Sequence, residues 1–127
     1  MSKKRDFHYQ QFYWSQYHLV RQLQTQGEYA LALKQLATLI FMSEKKLKDK
    51  FKDKAWQILQ VLNTISKGDL PEIKKINDPF IKQIYTEKLL RAYSSAILLS
   101  FLNEVSDAMD QLGYHLPRRR LEVGGEF

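Results

Sequence analysis

Cysteine is absent from the chain, which excludes a disulfide scaffold, a thiol nucleophile and a cysteine-ligated zinc or iron–sulfur site. Proline occurs three times and glycine five, so few positions can break a helix. No run of β-branched residues alternates with period two, and no strand is expected. Long apolar runs are also missing. The two longest, residues 29–42 and 92–102, are interrupted by Lys34 and by three serines, and both fall short of the roughly 20 apolar residues of a membrane span. The charged residues 1–5 lead into Gln-rich aromatic sequence without an apolar h-region or a small-residue cleavage site, which predicts no signal peptide. The expectation is a soluble cytoplasmic chain, or one within a particle assembled in the cytoplasm, with no membrane partner.

What is present is enough for one core. A chain of 127 residues with 44% hydrophobic and 27% charged residues predicts a single domain, 1–127, with a short basic N-terminal end (1–6) and a flexible C-terminal tail (117–127). Its formal charge of +6 points toward a polyanionic partner and speaks to association rather than fold. Gly27, Ser43, the run Lys67-Gly68-Asp69-Leu70-Pro71, Asn77-Asp78-Pro79 and Gly113 punctuate the sequence. They predict an all-α bundle with main helices over about 5–26, 28–42, 44–66 and 79–112, and a short turn of helix at 71–76.

Periodicity supplies the candidate core. Leu47, Phe51, Ala55, Ile58, Leu62 and Ile65 recur every three or four residues and form one stripe. The second helix is apolar almost all round, with only Lys34 charged, which predicts a central position or a covering partner. The last helix would be about 51 Å long at 1.5 Å per residue. A compact chain of this length is roughly 36 Å across. That mismatch predicts a kink at Ser94-Ser95, an elongated molecule or an overhang covered by another subunit, and residues 92–103 carry no charge at all.

Catalysis finds little support. His8, His18 and His115 fall in no H-E-x-x-H or E-x-x-H pattern, and the carboxylates Glu104, Asp107 and Asp110, three apart, fan around the helix. Gly-rich phosphate loops and G-x-S-x-G are absent. The expectation is a protein that is not an enzyme, with no cofactor, no metal and no small-molecule substrate.

Surfaces carry more information. Six of the sixteen aromatics fall within residues 7–17. Phe12, Leu19, Leu23, Tyr9, Val20 and Tyr13 share one side of the first helix, a core face; Phe7, Gln11, Trp14, His18 and Arg21 form an opposite stripe. That stripe is either a binding face, since aromatics and arginine dominate interfaces, or a side covered by another helix of the same bundle. Phe7, Trp14, His18 and Arg21, with Ile97 and Phe101 from the uncharged stretch, constitute the candidate interaction face; the alternative for that stretch is that Ile97, Leu98, Phe101 and Leu102 are the deepest core of the bundle. Trp56, opposite the Leu47 stripe, is a second candidate exposed aromatic.

Residues 44–54 carry a net charge of +3, with Lys46, Lys50 and Lys54 along one flank of the apolar stripe and Lys48 and Lys52 along the other. These lysines, with Arg118, Arg119 and Arg120 in the tail, are the candidate polyanion-binding residues. Their stems can equally snorkel over core surface, with Glu44 to Lys48 a helical i,i+4 pair.

Gln26-Gly27-Glu28-Tyr29-Ala30-Leu31-Ala32-Leu33, followed by Leu36 and Leu39, resembles the turn and second helix of a tetratricopeptide repeat. The resemblance implies a tight helical hairpin with a small residue at the close approach. It covers about 24 residues and has no second copy at a period of about 34, where an array needs about three. For function, the sequence predicts a non-catalytic, self-associating interaction or structural protein, a homo-oligomer or a subunit of a larger particle such as a virion or nucleoprotein assembly. The alternative is a basic helical protein associated with nucleic acid.

Overall fold

The computed structural model describes the backbone from Ser2 to Tyr114 and the side chains from Gln10 to Tyr114. Five helices follow in chain order: α1 (Ser2–Thr25), α2 (Tyr29–Phe41), α3 (Lys45–Ser66), the single turn α4 (Pro71–Lys74) and α5 (Pro79–Gln111). Among the described residues there is no strand, and no helix is long and apolar enough to cross a membrane.

Each break has a local cause. Gly27 adopts φ +81°, the left-handed conformation that costs an L side chain about 1–2 kcal/mol, and it lets the Glu28 N–H return to the Leu23 carbonyl at 2.9 Å. The hairpin implied by the tetratricopeptide likeness is therefore present, with Ala32 fully buried beneath it. At the start of α3 the expected Ser43 cap is replaced. Ser43 Oγ donates back to the Ile40 carbonyl, and the Glu44 carboxylate caps the helix by accepting from the Lys46 N–H at 3.2 Å. Asp78 caps α5 as its sequence position suggests, accepting from Phe80 and Ile81, with Pro79 in the first turn.

The short α2 is the spine. It packs against α1, α3 and α5, and Ala32, Leu33, Leu36, Ala37, Leu39 and Ile40 are buried along it. Its antiparallel hairpin with α1 is tied at mid-length by Gln35 Nε2 donating to Gln16 Oε1 at 2.8 Å. α3 presents all six residues of the expected stripe to the core. α3 and α5 run antiparallel: Phe51 meets Phe101 edge-on, at 5.8 Å between ring centroids, while Ser66 and Lys67 face the first turns of α5. α5 runs parallel to α2, because Arg91 donates to the Gly27 carbonyl at one end and Tyr114 reaches Glu44 at the other.

α5 is uninterrupted through Ser94-Ser95. Its 33 residues span about 50 Å, against about 20 Å for the 13 residues of α2. Residues 79–90 therefore extend beyond the level at which α2 begins.

The spine's contribution can be measured. Leu36→Ala, at a fully buried site, is expected to cost about 2–5 kcal/mol in urea denaturation. Leu31→Ala on the exposed side of the same helix is expected to cost about 0.5 kcal/mol or less.

Candidate interaction surface

The candidate face drawn from sequence does not survive as one surface. Trp14 is only 6% exposed and stands edge-on to Tyr17, with centroids 5.1 Å apart, so it belongs to the core rather than to an interface. Phe101 is fully buried against Phe51, and Ile97 is half-buried against the same core. Only His18 and Arg21 remain exposed, and the Phe7 side chain lies outside the described residues. The physical reason is a rotation. The side of α1 that meets α2 is built on Tyr13, Trp14, Tyr17 and Val20, roughly a quarter-turn from the expected face, and Leu19 is exposed instead. Apolar residues surround the first half of α1, so pattern alone did not fix which side faces inward.

The lysine strip is partly neutralised within the molecule. Lys54 Nζ sits 3.0 Å from both Glu104 oxygens and 5.2 Å from the Phe101 ring centroid, and Lys50 lies 5.9 Å from that of Phe51. Asp49 takes Lys45 at 2.7 Å and Lys52 at 3.7 Å. Lys46 and Lys48 form no close ion pair among the described residues, although Lys48 adds to the positive field at Asp49, and Arg118, Arg119 and Arg120 lie outside the described residues. The stems therefore border the core as the snorkelling alternative requires. Trp56, in contrast, is 59% exposed on the outer side of α3.

Of the two indoles, Trp14 is covered and Trp56 is open. In Trp56→Phe the remaining fluorescence is expected to be blue-shifted and resistant to acrylamide; in Trp14→Phe it is expected to be red and readily quenched. Asp49 generates a second expectation. The hydrogen bond from Lys45 holds its carboxyl below the ordinary value, and the carboxylate raises the Lys45 ammonium above its own. The pair's stabilisation is thus present at neutral pH, is lost as pH falls through the lowered Asp49 value, and is lost again as pH rises through the raised Lys45 value. Carboxyl NMR titration of Lys45→Ala should show the Asp49 midpoint moving up.

A different surface emerges on α5. Its inner side, with Ser94, Leu98, Phe101, Leu102 and Val105, is buried, while Ala92, Ser95, Ala96, Leu99, Ser100 and Asn103 face outward and are exposed. Extended toward the helix start, the exposed side gives the row Ile81, Ile84, Lys88, Ala92, Ser95 and Leu99, at spacings of three, four, four, three and four. Ile81 is 53%, Ile84 46% and Leu99 59% exposed. The serines add little polarity, because Ser95 Oγ donates to the Ala92 carbonyl at 3.2 Å and Ser100 Oγ to that of Ile97 at 3.1 Å.

Three contacts hold the overhanging half of α5 in place. The Arg91 guanidinium donates to the Gly27 carbonyl at 3.1 Å and stacks 4.8 Å from the Tyr29 ring centroid, and the Tyr85 hydroxyl donates to Glu72 at 2.9 Å. Clefts of about 450 and 400 Å³ flank this half, one toward Gly27, Glu28 and Tyr29, the other toward Ser66, Lys67 and Gly68. Phe80, Ile81 and Ile84 were missed by sequence reasoning. The available signal was the difference in length between the second and last helices, which leaves the apolar residues before about Arg91 without α2 to cover them.

Among the described residues no group of three or more His, Asp or Glu side chains is placed to hold a metal ion, and Glu104 is engaged by Lys54. A scan against protein-family models and searches of the curated proteins and of the solved structures found no match to this chain.

Proposed function

We propose that this chain is a non-catalytic, self-associating helical subunit, a structural or interaction component of a larger particle, whose copies meet through the outer row of α5. One observation carries the reading: twelve consecutive residues, 92–103, hold no charge, yet half of them, Leu99 included, are exposed, and Ile81 and Ile84 extend the same surface. A helix side left in water normally carries charge, and a contiguous exposed apolar strip marks an interaction site. Burial of this row leaves no orphaned hydroxyl donor at Ser95 or Ser100, since both are bonded within the helix.

The nucleic-acid reading draws less support. Lys54 is engaged by Glu104, and Lys45 and Lys52 by Asp49, which lowers the charge available to phosphates.

Light scattering on the eluting peak of a size-exclusion column tests the proposal. At high micromolar concentration the chain is expected to elute with at least twice its monomer mass of 15.1 kDa. Leu99→Glu, at an exposed site, is expected to return it to monomer with unchanged helical circular dichroism. A wild-type monomer at that concentration overturns the reading.

A further inference from the structure

The outer row of α5 has an internal symmetry that selects the orientation of its partner. Resting on the self-association proposed above, we infer that two copies pair antiparallel along α5, with the two-fold axis passing near Leu90. In that register residue i faces residue 180 − i of the other copy. Ile81 then lies opposite Leu99, Ile84 opposite Ala96, Tyr85 opposite Ser95 and Lys88 opposite Ala92. Ile84, Tyr85 and Lys88 thus meet small side chains, the alternation that lets two helices interdigitate, and Ile81 and Leu99 close an apolar pair at each end. The pairing is isologous, so the same patch serves both copies and the assembly closes. Near the axis Ala92 permits close approach, and the long stem of Lys88 carries its ammonium outward to water.

Charge gives the same orientation independently. Residues 79–91 of α5 carry Lys82, Lys88 and Arg91 against Glu87, a net +2; residues 92–103 are neutral; residues 104–111 carry Glu104, Asp107 and Asp110, a net −3. Parallel pairing would set like ends together, whereas antiparallel pairing about residue 90 places residues 104–111 of one copy opposite residues 69–76 of the other, just before the basic first half of its α5. Lys54 already offsets part of Glu104, while Asp107 is exposed with no ion-pair partner among the described residues. Such long-range complementarity favours an orientation more than it adds strength. The helix dipoles add to it in the same sense.

The absence of cysteine makes the test clean, because an introduced thiol is the only one present. Ile81→Cys and Leu99→Cys full-length chains are prepared separately, checked for dimer mass by light scattering, then oxidised alone and as an equimolar mixture. Two copies of residue 99 would stand about 27 Å apart along the axis, far beyond the Cα separation of at most about 7 Å that a disulfide spans. The expected result is a covalent dimer from the mixture and none from either variant alone. Efficient cross-linking of Leu99→Cys with itself overturns the antiparallel pairing in favour of a parallel one. A dimeric mixture that yields no disulfide also overturns the inference, and leaves self-association through another surface. A monomeric wild-type chain overturns both the inference and the reading beneath it.

Discussion

The length of α2 governs the rest of the molecule. Three helices pack on it, and it offers them only about 20 Å of apolar surface. Where α2 is present, α5 buries Leu98, Phe101, Leu102 and Val105; where it ends, the continuation of the same stripe presents Phe80 to solvent. Phe80 lies about five turns before Leu98 on the same side of the helix, so their difference in burial reflects the missing neighbour rather than a change in helix pattern. The cleft lined by Gly27, Glu28, Tyr29 and residues 84–91 opens where α2 begins.

Two polar clamps hold α5 parallel to so short a spine. At the N-terminal end of α2, Arg91 combines a hydrogen bond to the Gly27 carbonyl with stacking on Tyr29, and only a residue free to take positive φ leaves that carbonyl so placed. At the far end the Tyr114 hydroxyl donates to the Glu44 carboxylate at 2.9 Å, the Glu44 N–H donates to the Tyr13 hydroxyl, and the two tyrosine rings lie 5.1 Å apart. Gly113, with φ +90°, turns the chain out of α5 so that Tyr114 reaches this node, and the Tyr114 N–H closes back on the Met109 carbonyl at 2.8 Å. One residue, Glu44, thereby caps α3 and links α1 to the end of α5. A charge-assisted bond in a part-buried setting is worth more than its exposed equivalent, so this node outweighs the surface pairs of α3.

Sequence reading succeeded where one face of a helix is distinct from the others. The six-residue stripe of α3 was fully legible because lysines and aspartates occupy its remaining sides. Helix boundaries at Gly27, Gly68 and Pro79 followed from backbone chemistry that pattern expresses directly. The orientation of α1 did not, since Phe12, Tyr13, Trp14 and Tyr17 offer apolar surface in several directions and tertiary packing on α2 alone decides among them. In α5 the charge-free stretch was legible as a signal but divided wrongly between core and surface. Ile97 and Phe101 drew attention as large apolar residues, and those are the ones the core takes; the surface was left to Ala92, Ser95, Ala96 and Leu99, whose small size conceals them in a hydropathy reading. Ile81 and Ile84 depend on the length of a different helix, which periodicity within α5 cannot express.

The contrast between α3 and α5 sharpens what the uncharged row signifies. Both helices lie against α2 and against each other, and both leave an outer side uncovered. On α3 that side holds Lys45, Asp49, Lys52, Asp53, Gln57 and Gln60, apart from Trp56, which is what solvation of a helix requires. On α5 the equivalent side over residues 92–103 offers Ala, Ser, Leu and Asn, with two hydroxyls directed into its own backbone. Small residues contribute little where a helix faces only water. Against a second helix they would allow the backbones to approach closely, and in the proposed pairing they would face Ile84 and Tyr85 of the other copy. The two helices thus solve different problems with the same fold: α3 is charged to stay in solution, and α5 has the composition of a helix that packs on both sides.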